Sequence, residues 1–236
     1  MKWLVACLAL AGCAQAGAPN AIIGGLIDAG TRRGDAGDLA DPDASLIDAP
    51  PNQVTLNQTT SNGIVDGNSF ACLFQGSDVS RNNSYYRVFT PSESGVTNAL
   101  HIAQVEFGIE FSSAAGGMQP ATLNIGTYSG TVDATTTTLQ LSDVVPVMSA
   151  NIQIRDTPAP AMMTAPIKAD IPAGSNVIVE LAVPGGQTFF IGTNTSGEAK
   201  PGYTRADDCG ITDPTSMEAI ASPGDADIVM TLTGTH

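Results

Sequence analysis

From Gln53 onward the chain falls into short runs of alternating apolar and polar residues, separated by clusters of Gly, Pro, Asn, Asp and Ser. The clearest run is QVEFGIEF, where Val105, Phe107, Ile109 and Phe111 point one way and Glu106, Gly108 and Glu110 the other. A period of two is that of a strand with one buried and one wet face. VTLNQTT, SFACLF (Phe70, Cys72 and Phe74 on one face), SYYRVF, ATLNIGTY, TTTTLQLSDVVPV, ANIQI, APIKADI, SNVIVELAV, QTFFIGT and ADIVMTLTG repeat the texture. The spacing predicts about nine to eleven strands in an all-β fold, an antiparallel β-sandwich of jelly-roll-like form over residues 53–236. One short helical turn is expected in DPTSMEAI, with Asp213 capping and Pro214 in the first position.

The first 52 residues have a different texture. Lys2 precedes the apolar run WLVACLALAG, which is too short to span a bilayer and has the charge and length of a secretory leader, here residues 1–12. Residues 14–52 are built from Ala, Gly, Asp and Pro, with LIDA at Leu26–Ala29 and again at Leu46–Ala49. Such a composition cannot bury enough apolar surface to offset chain ordering, so residues 13–52 are expected to form a disordered N-terminal tether. As a flexible coil this segment reaches about 35 Å.

The leader ends in LAGC, Leu10 to Cys13. This resembles the lipobox of bacterial lipoproteins, and the resemblance implies that Cys13 is acylated and anchors the chain to a membrane of the bacterial envelope. Ala14 in place of an aspartate implies, by the same analogy, the outer membrane. A plain secretory cut after AQA, discarding Cys13, is the alternative. Cys7 lies in the leader, so the exported domain keeps Cys72 and Cys209. In an oxidising compartment a remaining pair is normally a disulfide, the other readings being two buried thiols or a metal site. The metal reading is poor, since neither cysteine belongs to a C-x-x-C pair and the domain has only His101 and His236.

The closing segment from Thr188 to Gly234 resembles the end of a bacterial extracellular β-sandwich module found at the C-termini of secreted peptidases and other surface proteins. The matching positions are Phe189–Gly192, Tyr203, Ala206, Cys209–Gly210, Pro214–Thr215 and Ile228–Leu232. The resemblance implies an accessory or binding module and brings no catalytic residues with it.

Charge narrows the partners. The net charge is −14, and from residue 53 on 17 acidic residues face 6 Lys and Arg. That balance provides no positive surface for nucleic acid. Candidate chemistry is sparse. His101 stands without a G-x-S-x-G elbow, and Glu106 and Glu110, about 13 Å apart on a straight strand, are too distant for a glycosidase pair. Asp66, Asn68, Asp207, Asp208, Asp225 and Asp227 sit in or beside expected turns and are the candidate ligands for a structural calcium ion, although turns favour Asp and Asn for backbone reasons as well. Tyr85, Tyr86, Tyr128 and Tyr203 are the candidate aromatic contacts for carbohydrate. The pattern points to a non-catalytic, lipid-anchored surface protein that binds a partner or glycan, adheres, or builds the envelope. A hydrolase, or a hydrolase accessory protein acting on extracellular polymer, is the alternative.

Overall fold

A computed structural model describes residues 52–220 and 226–236. The leader, Cys13, the tether up to residue 51 and Asp225 lie outside the described residues. The alternating segments form strands in two stacked antiparallel sheets. The first carries β1 (Gln53–Asn57), β3 (Leu100–Ser113), β6 (Ala161–Ile171) and β13 (Met230–Thr235), in the order β1-β13-β3-β6. The second carries β2 (Asn83–Phe89), β4 (Met118–Tyr128), β5 (Val144–Arg155) and β7 (Asn176–Val183), in the order β2-β7-β4-β5. Chain order against sheet order gives two four-stranded sheets with repeated crossing between them, the wiring of a jelly roll. The all-β sandwich expectation holds.

The remaining strands elaborate this frame. β8 (Thr188–Ile191) continues the edge of β3 beyond the end of β13. β10 (Tyr203–Ala206) and β11 (Ile211–Ser216) extend the second sheet outward from β2. β9 (Thr193–Asn194) and β12 (Asp227–Ile228) pair with each other. The core between the sheets is filled by Val105, Phe107 and Ile109 from β3, Leu123 and Ile125 from β4, and Val177, Val179 and Leu181 from β7. Each such side chain contributes about 1.5–3 kcal/mol by leaving water.

Three local expectations are corrected. SFACLF is a loop with one isolated bridge, Leu73 to Ser80, rather than a strand. The Asn83 side chain accepts the Cys72 N–H at 2.8 Å, which withholds that donor from a strand ladder, and shares the Cys72 carbonyl, at 3.2 Å, with the Arg81 N–H at 2.8 Å. Phe74 accordingly turns outward. In β3 the alternation breaks at a register shift between Ile109 and Phe111. Phe111 is thereby exposed, whereas Glu110 is buried with Oε2 accepting the Asn68 N–H at 3.2 Å. Finally, Asp213 and Pro214 lie in β11, and the helical turn α1 spans Met217–Ile220. Pairing with β10 draws 211–216 into the sheet, where an edge position tolerates proline. Ser216 takes the capping role, its Oγ accepting the Ala219 N–H at 3.3 Å.

Cys72 and Cys209 form a disulfide with Cα atoms 5.9 Å apart. It ties the 69–80 loop to the turn after β10. Among the described residues no helix is long and apolar enough to cross a membrane.

Candidate functional site: a groove on the outer face of the second sheet

The outer face of the second sheet is covered over only part of its width. Residues 129–143 fold back across it, and Val132 and Leu139 pack on Tyr86, Val88, Tyr128, Ile178 and Tyr203 in a second, smaller core. Hydrogen bonds pin this flap: Tyr203 donates to Thr136 O at 3.1 Å, and the Gln140 N–H donates to the Tyr128 hydroxyl at 3.2 Å. Where the flap stops, a groove of about 510 Å³ is left open between Leu141 and the curling start of β5. That volume is typical of small-ligand clefts.

Strand register explains the floor. Tyr86 on β2 is opposite Glu180 on β7, Glu180 is opposite Asn124 on β4, and Asn124 is opposite Ser149 on β5. Four polar side chains thus form one row across four strands. Tyr86 donates to Glu180 Oε1 at 2.7 Å, and Asn124 Nδ2 donates to Glu180 Oε2 at 2.8 Å. Burial, then the Glu180 charge, holds the Tyr86 phenol well above its usual range, so it remains a donor. Each carboxylate oxygen is fixed by one donor and keeps lone-pair capacity for another. The next row is Val88, Ile178, Gly126 and Pro146. A Cβ on Gly126 would stand 2.8 Å from Val145 O and 3.1 Å from Val144 Cγ1, so glycine is what lets the two strands meet here. A register shift between Ile125 and Gly126 bends β5, and Val144, Pro146 and Met148 become an apolar wall. On the other side of the polar row lie Ser84, Ala182, Thr122 and Asn151, a half-buried to exposed shelf that is polar except at Ala182.

The residues expected from sequence are placed differently. Tyr86 alone of the four tyrosines lines the groove; all four are buried and none offers an open ring face. Asp66 and Asn68 belong to the loop over β3 and β8, and Asn68 Nδ2 donates to Thr193 Oγ1 at 3.0 Å. Asp207 takes a two-pronged contact from Arg205 at 3.0 and 2.7 Å, and Asp208 lies 3.9 Å from Arg81. Asp227 is buried, accepting the Gly197 N–H at 2.8 Å. These candidate calcium ligands are dispersed, and among the described residues no group of three His, Cys, Asp or Glu converges as a metal-holding set. His101 is exposed and pairs with Asp170 at 2.7 Å on the outer face of the first sheet. Glu106 accepts from Thr164 at 3.0 Å, on a different strand face from the groove.

Glu180, Asn124 and Gly126 went unnoticed in sequence. The available signal was Glu180, a lone carboxylate inside the otherwise apolar run VIVELAV.

No family model and no curated protein matches the chain. Among solved structures, it is similar to the crystal structure of the cysteine protease and lectin-like domains of Cwp84, a surface layer associated protein of Clostridium difficile. Identity is 12% and the TM-score 0.41, over 66% of this chain and 33% of that one.

Proposed function

We propose that the chain is a non-catalytic binding module, anchored in the bacterial envelope through Cys13, that holds a hydroxyl-rich ligand such as a stretch of oligosaccharide in the groove of the second sheet. The observation that carries this reading is the Tyr86–Glu180–Asn124 row on the floor of an apolar-walled cleft. The fixed carboxylate presents acceptors to ligand hydroxyls, while Val144, Pro146 and Met148 suit the apolar faces of a sugar ring. Glu180 is the only carboxylate among the described lining residues. Hydrolysis of a glycosidic bond ordinarily needs two, which favours binding over the hydrolase alternative.

The test is a glycan array of neutral and charged oligosaccharides read with the full chain and with Glu180→Gln and Asn124→Ala. A ligand bonded to the carboxylate should lose about 10- to 100-fold in affinity on Glu180→Gln, the size of a charge-assisted hydrogen bond. Background signal across the array, or binders indifferent to both substitutions, would overturn the reading.

A further inference from the structure

Glu180 stands in the middle of the groove floor as a carboxylate whose charge no lining residue cancels. Among the described lining residues none is Lys, Arg or His, and among the described residues no ion pair involves Glu180. Its two hydrogen bonds come from neutral groups, the Tyr86 hydroxyl at 2.7 Å and Asn124 Nδ2 at 2.8 Å. Such donors orient the carboxylate and leave its charge in place. The cation that acts on the Tyr86 phenol is Arg205, opposite Ser84 on β10. Asp207 holds that guanidinium at 3.0 and 2.7 Å, so the pair as a whole is neutral.

The floor is also rich in acceptors. Both Glu180 oxygens keep lone pairs beyond the bonds they already accept. Asn124 turns its Nδ2 to Glu180 and carries a carbonyl oxygen as well, and Ser149 follows in the same row. The Tyr86 hydroxyl hydrogen and one Asn124 N–H are directed at Glu180. A ligand hydroxyl meets this floor with one donor and two lone pairs, whereas an ammonium brings three donors and no lone pair. The apolar wall of Val144, Pro146 and Met148 keeps water off one side of the carboxylate, which strengthens its pull on a cation.

We infer that the groove selects an amine-bearing sugar, with its ammonium on Glu180 and one face of its ring against Val144, Pro146 and Met148. This rests on the oligosaccharide reading of the groove and names the kind of sugar it takes. N-acetylation of the amine removes the positive charge and two of the three N–H donors. It also adds a carbonyl, a further acceptor on a floor that already has several. An ammonium on a flexible chain, such as that of lysine, meets Glu180 but leaves the apolar wall without a ring face. The acidic domain, with 17 Asp and Glu against 6 Lys and Arg from residue 53 on, attracts any cation to its surface. Glu180, the lone carboxylate among the described lining residues, is what would hold one inside the groove.

Isothermal titration of the full chain tests it, with matched oligosaccharides of glucosamine and of galactosamine, each as the free amine and N-acetylated. The pH is slightly acid, so that the sugar amine is protonated. Free amines should bind about 10- to 100-fold more tightly than their N-acetylated partners, the size of a hydrogen bond to a charged group. Glu180→Gln should bring the two classes level. A preference that survives Glu180→Gln reports only the general negative charge of the surface and overturns the inference. Trilysine bound as tightly as the free-amine sugars overturns it too. If the wild-type chain binds N-acetylated sugars as tightly as free amines, or more tightly, the inference falls whether or not the variant folds, and the oligosaccharide reading stands. Absence of binding by every sugar, here and on the glycan array, overturns both.

Discussion

Breaking the Cys72–Cys209 bridge gives the prediction whose size follows most directly from the fold. The cysteines are 137 positions apart, so the bridge closes a loop spanning most of the domain. In the chain-entropy treatment a loop of that length, once opened, frees the unfolded chain by about 5 kcal/mol at 25 °C. Against a total of about 5–15 kcal/mol for a domain of this kind, that is a third or more of its stability. Two perturbations separate the bridge from its packing. Reduction without substitution removes only the cross-link, while Cys72→Ala with Cys209→Ala also empties a buried site at Cys72. Urea unfolding of the oxidised, reduced and double-alanine chains should show losses of about 3–5 kcal/mol on reduction, with slightly more for the double variant. The urea slope should steepen, because an unfolded chain without the cross-link exposes more surface. A loss under about 1 kcal/mol with an unchanged slope would refute the reasoning, since a cross-link over so long a loop must restrict the unfolded state.

Other expectations concern single groups. Arg87→Ala should destabilise the domain by about 3–5 kcal/mol in thermal or urea melts, because Glu198 would be left buried without its cation. Burial pushes the Glu198 carboxyl up to about 7. Through Glu198 alone the wild-type domain should be about 2 kcal/mol more stable at pH 5 than at pH 8, and Glu198→Gln should remove that contribution. Gly192→Ala should weaken the joint between β3 and β8 measurably in melting temperature, since its Cβ would stand 2.7 Å from the Gly108 carbonyl carbon. Gly126→Ala should lower ligand affinity together with stability, because the new methyl would force β5 away from β4.

The two-residue period identified the sheets well, and the wiring of β1 to β7 and β13 is what alternating, turn-bounded strands of this number commonly adopt. β3 shows where that legibility ends. Its alternation is perfect on paper through Phe111, yet the register shift after Ile109 reverses which side chains are covered. Nothing local signals it, because the cause is the handover of the strand edge from β13 to β8. SYYRVF presents the same difficulty. Its alternation groups Arg87 with Tyr85 and Phe89, and a charged residue on that side reads as the solvent face. Its partners Glu198, Lys200 and Ile228 come more than a hundred residues later, and only the tertiary fold shows that they meet it. The groove is hidden for a related reason. Tyr86, Glu180, Asn124 and Ser149 are ordinary strand residues until the sheet order places them side by side. The disulfide was accessible by counting once an N-terminal leader is expected, since the two cysteines beyond it, Cys72 and Cys209, leave one pairing.

Because β1 lies directly against β13, with Gln53 opposite Thr235 and the His236 N–H donating to Asn52 O at 3.1 Å, the domain receives any pull from the preceding chain at the margin of one sheet, while the groove lies on the outer face of the other. Tension between Asn52 and something held in the groove would enter at the end of β1 and open its pairs one after another, as a zipper opens. Extraction would then run into Cys72, where the covalent bridge passes the load to Cys209, beside the strands that flank the groove. A tug on this domain would thus release a limited length of slack before it met a bond that mechanical unzipping cannot open.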